Sequence, residues 1–122
     1  MGIVKSGLSL LTAALILTMA AAWGHAIVVE SQPVAGARLA QPPPRIVLRF
    51  NVRIEKSLVR ATLSGPDGDR ELPVTADGAA DRLEMPLPPL PPGAYALRYK
   101  VLAADGHATE GILRFTVGGA AP

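Results

Sequence analysis

The chain has 122 residues, of which 12 are Lys or Arg and 10 are Asp or Glu, for a formal net charge of +2. One domain is the expectation at this length. The near-neutral balance, with basic residues spread along the chain rather than clustered, excludes nucleic acid and charged membrane surfaces as partners; with no cysteine, disulfides and thiolate metal ligation are excluded too.

Residues 1–24 read MGIVKSGLSLLTAALILTMAAAWG. One positive charge, Lys5, precedes an apolar run from Leu8 to Ala22 that is shorter than the ~20 residues needed to span a bilayer, and small residues follow. This is the pattern of a secretory signal peptide. Two cleavage points fit the small-x-small rule: before His25, after Ala22-Trp23-Gly24, and before Trp23, after Ala20-Ala21-Ala22. The expected organisation is a signal peptide over residues 1–24 and one soluble, exported domain over 25–122. Removing the leader leaves 98 residues, enough for one modest core. It takes away Trp23 and Lys5, leaving 11 basic against 10 acidic side chains and Met85 as the remaining methionine.

After the leader, helix signals give way to a period of two. AIVVE is a short β-rich run. RIVLRF sets Ile46, Leu48 and Phe50 against Arg45, Val47 and Arg49. LVRATLS puts Val59, Ala61 and Leu63 on one face. YALRYKVL puts Tyr95, Leu97, Tyr99 and Val101 on one face, and GILRFTV does the same with Leu113, Phe115 and Val117. Pro- and Gly-rich breaks separate these runs: SQPVAGARLAQPPP, the tight turn GPDGD, TADGAAD and MPLPPLPPG, the last read as a rigid connection. Short strands with such punctuation predict an all-β sandwich or barrel.

The chemistry-bearing stretch is AADGHATEG, residues 103–111. By itself Asp105-Gly106-His107 reads as a hairpin turn with a solvated histidine. The other histidine, His25, changes that reading if cleavage falls before it, because an N-terminal histidine offers both its α-amine and its ring Nδ1 to one metal. Few protons need displacing from such groups near neutral pH. A nitrogen of His107 and an oxygen of Asp105 complete a set of three nitrogens and one oxygen. Cu(II) favours tetragonal N/O coordination and heads the divalent affinity series, while Zn(II) competes with a tetrahedral arrangement of the same ligands. Cu(I) prefers thiolate and thioether ligands, of which this chain offers only Met85 beyond its leader. The motif that binds copper through a histidine at position three is absent, since Ile27 stands there.

The segments HAIVVESQPVAGARLAQPPPRIVLRF and LPPLPPGAYALRYKVLAADGHATEGILRFTV resemble the CopC family of periplasmic copper-binding proteins. The shared features are a His-Ala start, the stretch from Ser31 through Pro33 and Gly36 to Ala37, the Pro92-Gly93-Ala94-Tyr95 motif and Asp105-Gly106-His107. The resemblance implies a small Greek-key β-barrel, cupredoxin-like in shape. It also implies a Cu(II) site at His25, Asp105 and His107, and a role in periplasmic copper tolerance or in delivery to an inner-membrane copper importer. The methionines of some relatives' Cu(I) site are missing. Two further departures stand out. Asn51-Val52-Arg53 follows Phe50 where the family often has Ser-Glu, and Ala103 replaces a common Ser. Glu30 and Glu110 read as solvated charges.

Three functions compete. The first is a monomeric, non-catalytic carrier or buffer of Cu(II). The second is a copper oxygenase built on a histidine brace; a carboxylate in the fourth planar position argues against it, as does the lack of a flat aromatic surface. The third is a structural β module with incidental histidines. The mature N-terminus and a copper titration separate them.

Overall fold

Central strand β3 (Arg45–Phe50) shows how the alternation becomes structure. Ile46, Leu48 and Phe50 are fully buried, while Arg45 and Arg49 stay exposed. β1 (Val28–Gln32) and β6 (Arg82–Pro86) flank it, both antiparallel, and make a three-stranded sheet. β2 (Ala37–Leu39), β4 (Arg60–Gly65), β5 (Gly68–Glu71), β7 (Gly93–Leu102) and β8 (Ala108–Val117) form a second sheet in the order β2-β8-β7-β4-β5. The structure, a computed structural model, describes residues 25–118; the expected leader and its cleavage point lie outside them. The expected all-β Greek-key sandwich is what these residues form.

The core lies between the sheets. Ile46, Leu48, Phe50, Leu83 and Met85 meet Leu63, Leu97, Val101, Leu113, Phe115 and Val117 across it. Each large apolar side chain buried here contributes roughly 1.5–3 kcal/mol, the main source of stability in a chain without disulfides. Met85, fully buried, fills core space. Among the described residues no polar or charged side chain is buried, so polar chemistry is confined to the surface.

The long β7–β8 hairpin pairs from Gly93–Val117 to Leu102–Ala108. Its open end, away from the connecting loop, carries the Pro92-Gly93-Ala94-Tyr95 motif: the Tyr95 hydroxyl donates to the Pro91 carbonyl, and its ring stacks on Phe115 with centroids 5.5 Å apart. That hydroxyl bonding back a few residues upstream is a tyrosine corner, a device of Greek-key sandwiches. A Cβ at Gly65 would collide with the Tyr95 ring, which is why a glycine ends β4 there.

Several boundaries differ from the sequence reading. β8 begins at Ala108, not at residue 112, so ATEG is strand rather than loop. Gly111 breaks the apolar pattern there because the Tyr99 ring lies over it, where a Cβ would clash. Leu58 falls in a 3-10 turn (Lys56–Leu58), and β4 starts at Arg60. Val47, placed on the wetter face, is 8% exposed: its neighbours across the sheet are Gln32 and Glu84. β2, β5 and β6 are additions. β2 pairs in parallel with the end of β8 over three residues, too short for a pattern, and β5 is exposed throughout.

Candidate metal centre

Asp105 and His107 stand at the loop end of the β7–β8 hairpin. The Gly106 amide donates to the Ala103 carbonyl at 2.9 Å, and the Ala103 amide to the His107 carbonyl at 2.8 Å. Gly106 takes φ +95°. A three-residue hairpin loop ending in a left-handed glycine has this pattern, so the turn reading of Asp-Gly is correct as local structure. The loop also aims its side chains. Asp105 Oδ1 accepts the His107 backbone N–H at 3.1 Å and lies 3.2 Å from His107 Nδ1. Both contacts use Oδ1, so the carboxylate keeps a second oxygen for another partner. With the proton on Nδ1, Nε2 is the nitrogen left to bind an ion. The backbone N–H of His107 holds the Asp105 carboxyl below the usual carboxylate range; partial desolvation opposes this, and the His107 ring adds to it.

His25 reaches the same end from the other terminus of the domain. Its ring centroid is 6.5 Å from that of His107, with the planes tilted by 47°. The two histidines, 82 positions apart, are therefore neighbours, and Asp105 is tied to one of them. Rings that share one ion through nitrogen bonds of ~2.0 Å have centroids up to roughly 6.5 Å apart, so the observed spacing is at the outer edge of that range. Among the described residues no three His, Asp or Glu side chains are gathered closely enough to hold an ion as they stand. His25 is exposed, and in the unprocessed chain its nitrogen is a peptide amide.

The sequence reading names Asn51 and Ala103 as departures from the family pattern and gives Ala26 and Thr109 no role; all four help to fix this arrangement. Ala26 is 4% exposed and inserts into the core as an anchor; its amide donates to Thr109 Oγ1 at 3.4 Å. The Ile27 amide donates to Asn51 Oδ1 at 2.8 Å, and the Asn51 amide returns a bond to the Ile27 carbonyl at 3.0 Å. Just beyond Asn51, the Arg53 carbonyl accepts the Ala104 amide, Ile54 bridges to Ala103, and the Glu55 amide donates to the Leu102 carbonyl. Ala103 is 1% exposed within that bridge. Glu30 pairs with Arg49 on the surface at 3.3 Å, and Glu110 is exposed opposite Lys100; both are the solvated charges the sequence suggested.

Two sheets of three and five strands, with a tyrosine corner at one end and an exposed polar hairpin at the other, define a small Greek-key β-sandwich. The family model of the CopC domain matches residues 28–118, and the chain belongs to the CopC family. The crystal structure of CopC from Methylosinus trichosporium OB3b is similar, with a TM-score of 0.71 at 26% identity over 80% of this chain and 98% of that one. PcoC, a methionine-rich copper resistance protein from Escherichia coli, shares the fold with a TM-score of 0.63 at 24% identity, over 76% of this chain and 98% of that one. Protein YobA of Escherichia coli strain K12 is 29% identical over 118 residues, 93% of each chain. The copper transport protein CutJ of Bacillus subtilis strain 168 is 24% identical over 100 residues, which are 79% of this chain and 18% of that protein. No helix among the described residues is long and apolar enough to cross a membrane.

Proposed function

We propose that the chain is exported, cut before His25, and acts in the periplasm as a monomeric Cu(II)-binding protein. It buffers or carries copper for resistance and homeostasis and hands it to an inner-membrane copper importer, without catalysing a reaction. The observation that carries this reading is the meeting of His25 with His107, 6.5 Å between rings, at the loop where Asp105 contacts His107. Cleavage turns the His25 amide into a free amine, and the amine with the ring Nδ1 forms a chelate. His107 Nε2 and an Asp105 oxygen complete three nitrogens and one oxygen, a set suited to tetragonal Cu(II).

Support from relatives is of two kinds. Copper resistance and copper transport stand in the names of PcoC and CutJ. The matched segment is 18% of CutJ, so a segment like this chain forms part of a larger protein named for copper transport. Among the described residues Met85 is the one methionine, and it is buried in the core; this favours Cu(II) over Cu(I).

The test starts with mass spectrometry of the exported protein, expected to begin at His25. Titration should then give one tight Cu(II) per chain with the EPR signature of nitrogen-rich tetragonal copper, which Zn(II) lacks. His107→Ala should weaken binding at least ~100-fold, beyond the range typical of removing a group that merely supports a ligand. A start at Trp23, or wild-type affinity in His107→Ala, would overturn the proposal.

A further inference from the structure

The geometry points to Asn51 as a positioning residue that sets the distance between the two halves of the proposed centre. This inference rests on the copper reading above. The two halves come from opposite ends of the sequence and share no strand pairing with each other. What they share is the connection leaving β3, residues 51–55. On one side of it, Asn51 grips the N-terminal segment with two hydrogen bonds, from the Ile27 amide to Oδ1 at 2.8 Å and from its own amide to the Ile27 carbonyl at 3.0 Å. On the other side, the Arg53 carbonyl takes the Ala104 amide at 3.0 Å, and the Glu55 amide reaches the Leu102 carbonyl at 2.9 Å. A stretch of five residues thus holds His25 two positions from one grip and Asp105 one position from the other.

The side chain of Asn51 matters because strand pairing alone does not deliver His25. The β1–β3 register shifts between Val28 and Glu30, and Val28 opposite Phe50 is the last matched pair toward the N-terminus. Beyond it the Ile27 amide has no strand acceptor, and Asn51 Oδ1 supplies one. An alanine at position 51 keeps the backbone bond and loses this one. Thr109 adds a second tie through Ala26, on the strand that begins just after His107. Its 3.4 Å contact is the longer of the two, so Asn51 is the stronger constraint. A ligand set is only as tight as the groups that hold it in place, and loss of such supporting partners costs metal affinity about 10- to 100-fold.

The experiment uses the exported protein and three variants, Asn51→Ala, Asn51→Asp and His107→Ala. Amide exchange at Ile27 is read without metal, and Cu(II) affinity and EPR spectrum with it. Asn51→Ala is expected to speed Ile27 exchange at least ~10-fold, to weaken Cu(II) binding about 10-fold and to shift the EPR parameters, with the melting temperature nearly unchanged. Asn51→Asp, which keeps the acceptor oxygen, should restore protection at Ile27. Wild-type affinity and spectrum in Asn51→Ala, with His107→Ala weakened, would overturn the positioning role alone. Wild-type affinity in His107→Ala would overturn the copper reading and this inference with it.

Discussion

At one end of β7, Tyr95 stacks on its cross-strand partner Phe115 and bonds back to Pro91. At the other, seven residues and ~23 Å along the strand, the chain turns back through a loop that carries Asp105 and His107, both exposed. The same two strands frame both ends, yet the open end is built by ring burial and the loop end mainly by hydrogen bonds, with the ligand side chains exposed. Stability and the proposed metal chemistry are thereby separated in space. Substitutions at the open end should change folding with little effect on binding, and those at the loop end should change binding and cost less in folding.

The largest expected effect is at the open end. Phe115→Ala removes a 2%-exposed ring and should cost about 3–5 kcal/mol of unfolding free energy, measured by denaturant titration; any protein that stays folded should keep wild-type Cu(II) affinity. A large loss of affinity would show that the two ends are coupled. At the loop end, a Cβ on Gly106 meets open space but must adopt φ +95°, so Gly106→Ala should cost roughly 1–2 kcal/mol through backbone strain alone and should also disturb copper binding. Gly118, another left-handed glycine but packed against Pro92, offers the contrasting substitution, which should leave binding intact.

Smaller still is Tyr95→Phe. It deletes the hydroxyl bond to Pro91 and should cost about 1 kcal/mol. The wild-type pH profile gives the same contact a second reading. Burial, aided by the Asp67 carboxylate and opposed by Arg70, pushes the Tyr95 hydroxyl pKa up in the folded chain. The unfolded chain loses this proton first, so the contribution is fully present below the unfolded tyrosine value, ~10, and is lost as pH rises through the folded one. Wild-type protein should therefore lose stability in alkali more steeply than Tyr95→Phe, as thermal melts across that range would show.

The same division explains what could be read from the sequence. β3, β7 and the end of β8 were legible because a buried face imposes strict alternation on Ile46, Leu48 and Phe50, and on Leu113, Phe115 and Val117. β2 and β5 were not, since three parallel residues and four exposed ones carry no such pattern. β8 read as starting late because Gly111 serves Tyr99 rather than the core. The residues of the proposed centre were legible as types: two histidines and an acid, beside a leader expected to be removed. Their support was not. Asn51 following Phe50 reads only as a departure from the family's Ser-Glu, and its partner Ile27 lies 24 positions away. An unmatched amide at Ile27 is visible only once the β1–β3 register is known.

The central claim is that the chain end at His25 is itself half of a Cu(II) site. The most direct measurement is a pair of Cu(II) titrations, under one competing chelator, of protein beginning at His25 and of protein with a single alanine placed before it. Both carry the same folded domain, the same His107 and the same Asp105, and differ in whether the His25 nitrogen is an amine or an amide. The account predicts tight one-to-one binding in the first and a loss of at least ~100-fold, about 2.8 kcal/mol, in the second. Equal affinities would contradict it.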